Sequence, residues 1–184
     1  MSTEQLAKRA DFISGPVDLS AGGDSERRQL TVLFADLVGS TSLMEKLGAE
    51  DYSELLGVYH AICNEVVREG GGVIAQFLGD GIVCYFGYPH AAENDAIRAV
   101  TTAVNFLRKI KAARLPFAGT EILTRIGIAT GPVVFGGTKN HFGDDAVGAC
   151  MNKAARLEAE AETGTALICD DTRKLVGDLF DFTE

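Results

Sequence analysis

The sequence predicts an α+β fold, a ferredoxin-like split βαβ core in the order βαββαβ with further α/β elements at its C-terminal end. Three observations predict it. Apolar runs of strand length and segments of helical periodicity follow one another as strand–helix–strand–strand–helix–strand. Glycine turns, Gly70-Gly71-Gly72 and Gly79-Asp80-Gly81, fall where helix gives way to strand and strand to strand. The 184 residues, 46% hydrophobic, suffice for one substantial core, so a single domain is expected.

Residues 1–27 are polar and interrupted by Gly15-Pro16 and Gly22-Gly23, which reads as an N-terminal segment and linker; the domain is expected to occupy 28–184. A strand at 30–36 leads into helical sequence at 41–47 and 50–68, where Tyr52, Leu55, Leu56, Tyr59, Ile62 and Val66 recur at three- and four-residue spacing. Strands at 73–78 and 82–86 form a hairpin about Gly79-Asp80-Gly81. A helix at 91–113 follows, then a second hairpin of 122–130 and 133–135 turning at Gly131-Pro132. The remainder holds a short strand near 145–147, a helix at 149–162, a strand at 165–169, a helix at 170–177 and a strand at 179–182.

A net charge of −9 argues against extended nucleic-acid contact, which needs Lys and Arg to displace condensed counterions. No apolar run approaches the roughly 20 residues of a membrane span, and the N-terminus lacks the apolar stretch of a signal peptide, so a cytoplasmic chain is expected. Cys63, Cys84, Cys150 and Cys169 sit singly in apolar sequence without metal or redox spacing, as reduced core thiols do.

Asp36 and Asp80 carry the chemistry. Each closes a strand, where a stiff backbone holds a carboxylate facing solvent, and two brought together make an oxygen-rich pocket for hard divalent cations. Singly, either is an ordinary turn residue. After Asp36, the run Leu37-Val38-Gly39-Ser40-Thr41 carries strand into helix through glycine and hydroxyl residues, a turn that offers backbone N–H groups to an anion. Ser40 or Thr41 would ordinarily be the helix N-cap. No Walker lysine is present.

Four blocks in order, Leu33-Phe34-Ala35-Asp36-Leu37-Val38-Gly39-Ser40-Thr41, Phe77-Leu78-Gly79-Asp80-Gly81, Arg125-Ile126-Gly127-Ile128-Ala129-Thr130-Gly131, and Val147-Gly148 with Asn152 and Ala154-Ala155-Arg156-Leu157, resemble the class III adenylate/guanylate cyclase catalytic domain. The resemblance implies a class III cyclase fold, a nucleoside triphosphate substrate and a head-to-tail homodimer with composite sites. It implies that Asp36 and Asp80, with the Leu37 carbonyl, hold two Mg²⁺ or Mn²⁺ ions, while Val38, Gly39, Ser40 and Thr41 receive the β- and γ-phosphates. Asn152 would orient the ribose and Arg156 meet the α-phosphate, from the other subunit. Outside that resemblance Asn152 is a plain helix amide, and Arg156 pairs with Glu160 for about 0.2–0.5 kcal/mol.

Base choice departs from the family pattern. Gln76 stands four residues before Asp80, where adenylate cyclases place lysine and guanylate cyclases glutamate, and Asp145 stands where many adenylate cyclases read the adenine amino group. The Asp144-Asp145 pair leaves that assignment open by one residue. A glutamine amide donates and accepts, so it suits adenine or guanine. ATP is therefore favoured, with GTP or a pyrimidine triphosphate, or a nucleotide-binding regulatory module of little turnover, as alternatives. Related chains continue after 179–182 into a hairpin with a Lys-Gly pair, so truncation at the C-terminal end is expected.

Overall fold

β1 (Glu26–Leu37) sets the architecture because both its faces are buried: Leu33, Ala35 and Leu37 enter one apolar cluster, and Leu30, Val32 and Phe34 another. A strand so placed is central and covered above and below. The computed structural model, which describes residues 26–114, 120–140 and 143–183, has that arrangement. Its sheet runs β2 (Val73–Leu78), β3 (Gly81–Phe86), β1, β4 (Thr124–Asn140), β5 (Gly143–Val147), and β6 (Ala166–Ile168) pairs parallel with the first part of β4. The first four strands form the antiparallel ferredoxin-like sheet that the sequence pattern predicts.

α1 (Ser40–Leu47) and α2 (Ala49–Glu69) follow β1, and α3 (Asp95–Ala112) follows β3. Leu55, Tyr59, Cys63 and Val66 of α2 join Ala99, Ala103, Phe106 and Ile110 of α3 on the Leu33 face. The opposite face, bare in a minimal split βαβ unit, is covered here by α4 (Ala149–Glu160), whose Cys150, Met151 and Ala154 pack with Val32, Phe34 and Ala129. α5 (Asp170–Val176) closes the described chain. α4 seats against β4 at Gly127, where an added Cβ would lie 2.1 Å from the Ala154 carbonyl oxygen and 2.2 Å from the Glu158 nitrogen. Only glycine permits that approach.

Three expectations are corrected. Gly131-Pro132 does not turn: β4 runs straight through it, Gly131 opposite Leu30 and Pro132 opposite Gln29 of β1. Proline is tolerated because its carbonyl faces Cys150 of α4, so the missing N–H falls on the outer side of β4, between the stretches paired with β6 and β5. The helix expected over 91–113 begins at Asp95, whose carboxylate accepts from the Ala92 N–H at 2.8 Å and organises the preceding turn. No strand forms at 179–182: Leu179 is exposed, and the Phe182 ring lies under the Arg173 guanidinium, 4.6 Å from its centroid.

Candidate active site

β1 ends with Asp36 opposite Gly81 of β3, so sheet register alone sets the Gly79-Asp80-Gly81 turn beside it. Asp36 is buried and Asp80 half-buried. Both carboxylates act on the same phenol, that of Tyr52 on α2. Burial first, then the charges of Asp80 and Asp36, push the Tyr52 hydroxyl up, while a hydrogen bond with the Ser40 side chain pulls it down. The Thr124 hydroxyl donates to the Asp36 carbonyl at 2.7 Å, which fixes the strand end from β4.

The loop between β1 and α1 is held open by its backbone. Gly39 lies in the left-handed region, φ 70°, with open space where a Cβ would stand. The Val38 N–H donates to the Leu123 carbonyl at 2.7 Å. Gly39, and neither Ser40 nor Thr41, is the N-cap, which corrects the sequence expectation. A glycine cap brings no side chain to the first-turn N–H groups of α1, which suits them to an anion.

Among the described residues no three His, Cys, Asp or Glu side chains converge as a metal cage. Two carboxylates on a strand end and an adjacent turn are still the donor set for Mg²⁺ or Mn²⁺, which take one or two carboxylates and complete their shells with water and substrate phosphates. Leu37, the last residue of β1, would add its carbonyl. The residues present fit the ions.

Asn152 and Arg156 lie off the face that α4 buries, which carries Cys150, Met151, Ala154 and Glu158. Asn152 is half-buried, with its amide oxygen out of solvent and without a hydrogen bond among the described residues, and Arg156 is exposed. Gln76 is half-buried on β2 at a register shift after Ile74. Asp145 belongs to β5, at the opposite edge of the sheet, with β3, β1 and β4 between; its side chain and that of Asp144 lie outside the described residues, as does the segment 1–25.

Sequence reasoning missed four residues here. Arg125 of β4 stands opposite Asp36, its Nη2 3.6 Å from Asp36 Oδ2 and 3.4 Å from Glu158 Oε1 on α4. A lone cation inside the apolar run 122–130 was the available signal. His60 of α2 donates its Nε2–H to the Gly79 carbonyl at 3.0 Å and packs on Phe77, ring centroids 4.4 Å apart, bracing the turn that carries Asp80. Tyr52 was read only as a helix-face residue. The four cysteines are buried and free, as expected.

The fold and this strand-end carboxylate pair define a nucleotidyl cyclase catalytic domain. The family model of the adenylate and guanylate cyclase catalytic domain matches residues 24–184, and the chain belongs to that family. It is 31% identical over 140 residues to the terminal-differentiation-specific adenylate cyclase of Dictyostelium discoideum, covering 74% of this chain and 6% of that protein. Among solved structures it is similar to the guanylyl cyclase Cya2 (34% identity, 84% and 81% of the two chains, TM-score 0.77). It is likewise similar to the adenylyl cyclase CyaB of P. aeruginosa (30%, 85% and 84%, TM-score 0.76). The chain spans 6% of the length of the Dictyostelium relative and 16% of one from Rhizobium meliloti. Among the described residues no helix is long and apolar enough to cross a membrane.

Proposed function

We propose that residues 28–184 are the catalytic domain of an adenylate cyclase, which converts ATP to cyclic AMP and pyrophosphate at composite sites of a head-to-tail homodimer. The observation that carries the reading is the β1–β3 register, Asp36 opposite Gly81, which sets the Asp80 turn beside the strand end that opens through Gly39 into α1. The 3′-oxygen of the ribose attacks the α-phosphorus, its proton passes to solvent water, and the bond from that phosphorus to the bridging oxygen breaks, releasing pyrophosphate.

Asp36 and Asp80, with the Leu37 carbonyl, hold two Mg²⁺ or Mn²⁺ ions. Bound there, the ions lower the pKa of the 3′-hydroxyl and screen the leaving pyrophosphate. Val38, Gly39, Ser40 and Thr41 present backbone N–H groups and hydroxyls to the β- and γ-phosphates. Arg156 of the other subunit meets charge building on the α-phosphate with a fork that stays protonated. Asn152, one helical turn earlier on the same face, orients the ribose. The exposure of Arg156 on α4 supports its use by a second chain.

Gln76 favours a second reading, a cyclase of altered base preference, because its amide serves guanine as readily as adenine. Incubating the chain with Mn²⁺ and, separately, ATP, GTP, CTP and UTP tests both. Cyclic AMP chiefly from ATP supports the first and another cyclic nucleotide the second; absence of any product contradicts both.

A further inference from the structure

Arg125 lies between two buried acids. The Asp36 and Glu158 side chains are 3% and 6% exposed, and the same Nη2 faces both. Neither acid arrives by way of a loose surface. Asp36 is set opposite Arg125 by the β1–β4 register, and Glu158 by the seat of α4 on Gly127, two residues along β4 on the same face as Arg125. The guanidinium also reaches the Ala159 carbonyl through Nη1 at 3.4 Å.

One guanidinium cannot fully neutralise two carboxylates, so it is shared. Whatever part of its charge falls on Asp36 opposes a cation approaching the same carboxylate, since the two positive groups repel at short range in a weakly screened site. We propose that Glu158 is a positioning residue for the metal centre: it draws Arg125 away from Asp36 and thereby sets how tightly the Asp36–Asp80 pair holds a divalent cation. The proposal rests on the metal reading above. A half-buried arginine that loses Glu158 would shift its charge towards Asp36, the other carboxylate its Nη2 faces.

The test is a titration of the chain with Mn²⁺ alone, free ion counted by electron paramagnetic resonance, for wild type, Glu158→Gln, Arg125→Gln and the double variant. Glu158→Gln is expected to weaken Mn²⁺ binding by roughly three- to tenfold and Arg125→Gln to tighten it by a similar factor, as one unit of charge at this range allows. In the Arg125→Gln background, the Glu158→Gln effect should vanish, because Glu158 acts through the arginine. Equal weakening in both backgrounds would mean that Glu158 acts by its own charge, and overturns the proposal, as does unchanged affinity in Glu158→Gln. If thermal melting shows Glu158→Gln unfolded, Arg125→Gln decides alone: tighter binding supports the proposal and unchanged or weaker binding overturns it. Asp36→Asn separates the two failures, since Mn²⁺ bound by that variant as by wild type would refute the metal reading itself.

Discussion

The Asp36 region and the outer face of α4 are finished to different degrees. Around Asp36 every support comes from within the chain: Arg125 and Gly81 across the sheet, Thr124 on its carbonyl, and His60 bracing the neighbouring turn. On α4 the inner face is locked against Gly127, while Arg156 is exposed and the Asn152 amide oxygen is buried without a hydrogen bond among the described residues. The difference teaches that the carboxylate pair is held by the fold of this chain, whereas Arg156 on α4 is exposed and open to a second one. That is the asymmetry a composite site requires.

The comparison breaks most directly at the metal half. Asp36→Asn is expected to lower turnover about a thousandfold or more while melting close to wild type, because Glu158 still holds Arg125; steady-state rates and a thermal melt check it. Arg156→Ala should cost roughly 10²–10³ in kcat, the scale of losing one charged transition-state donor, again without loss of stability because the side chain is exposed. Gly127→Ala sharpens the contrast from the other side. A methyl group against two backbone atoms of α4 should destabilise the chain by about 1–3 kcal/mol, read from a urea transition.

His60→Ala removes one hydrogen bond from the Asp80 turn, worth about 0.5–1.5 kcal/mol, and should raise the Mn²⁺ concentration at half-maximal activity several-fold with little change at saturation. The smallest effect concerns Cys150, whose thiol burial pushes up from 9.0 to about 11. Its folded form keeps the proton that the unfolded chain releases above pH 9. Its contribution to stability is therefore complete below pH 9 and lost as pH rises towards 11. Cys150→Ala should flatten that part of a stability–pH curve.

Much of this was legible in the sequence, and the omissions have physical reasons. Asp36 and Asp80 could be read because each ends an apolar strand, and the strand order follows from periodicity and glycine turns. Gly131-Pro132 was misread because its local chemistry is that of a turn, and only the direction of the Pro132 carbonyl, towards Cys150 and away from β1, shows why a straight strand accepts it. Arg125, Glu158, Tyr52 and His60 were missed for a shared reason. Each acquires its meaning from register or helix seating, as His60 does at Gly79, 19 residues along the chain, which no local pattern encodes. For Asn152 and Arg156 the spacing of four on one helix was visible, and the structure adds that Arg156 is exposed and Asn152 half-buried.

The account turns on sites built from two chains, and mixing two inactive variants tests it most directly. Asp36→Asn and Arg156→Ala damage opposite halves, so each homodimer should be inactive. Random pairing of an equal mixture makes half of the dimers mixed, each with one site that carries neither substitution. Activity should then return to about a quarter of wild type. A mixture as inactive as its parts would contradict the composite site and place both halves in one chain.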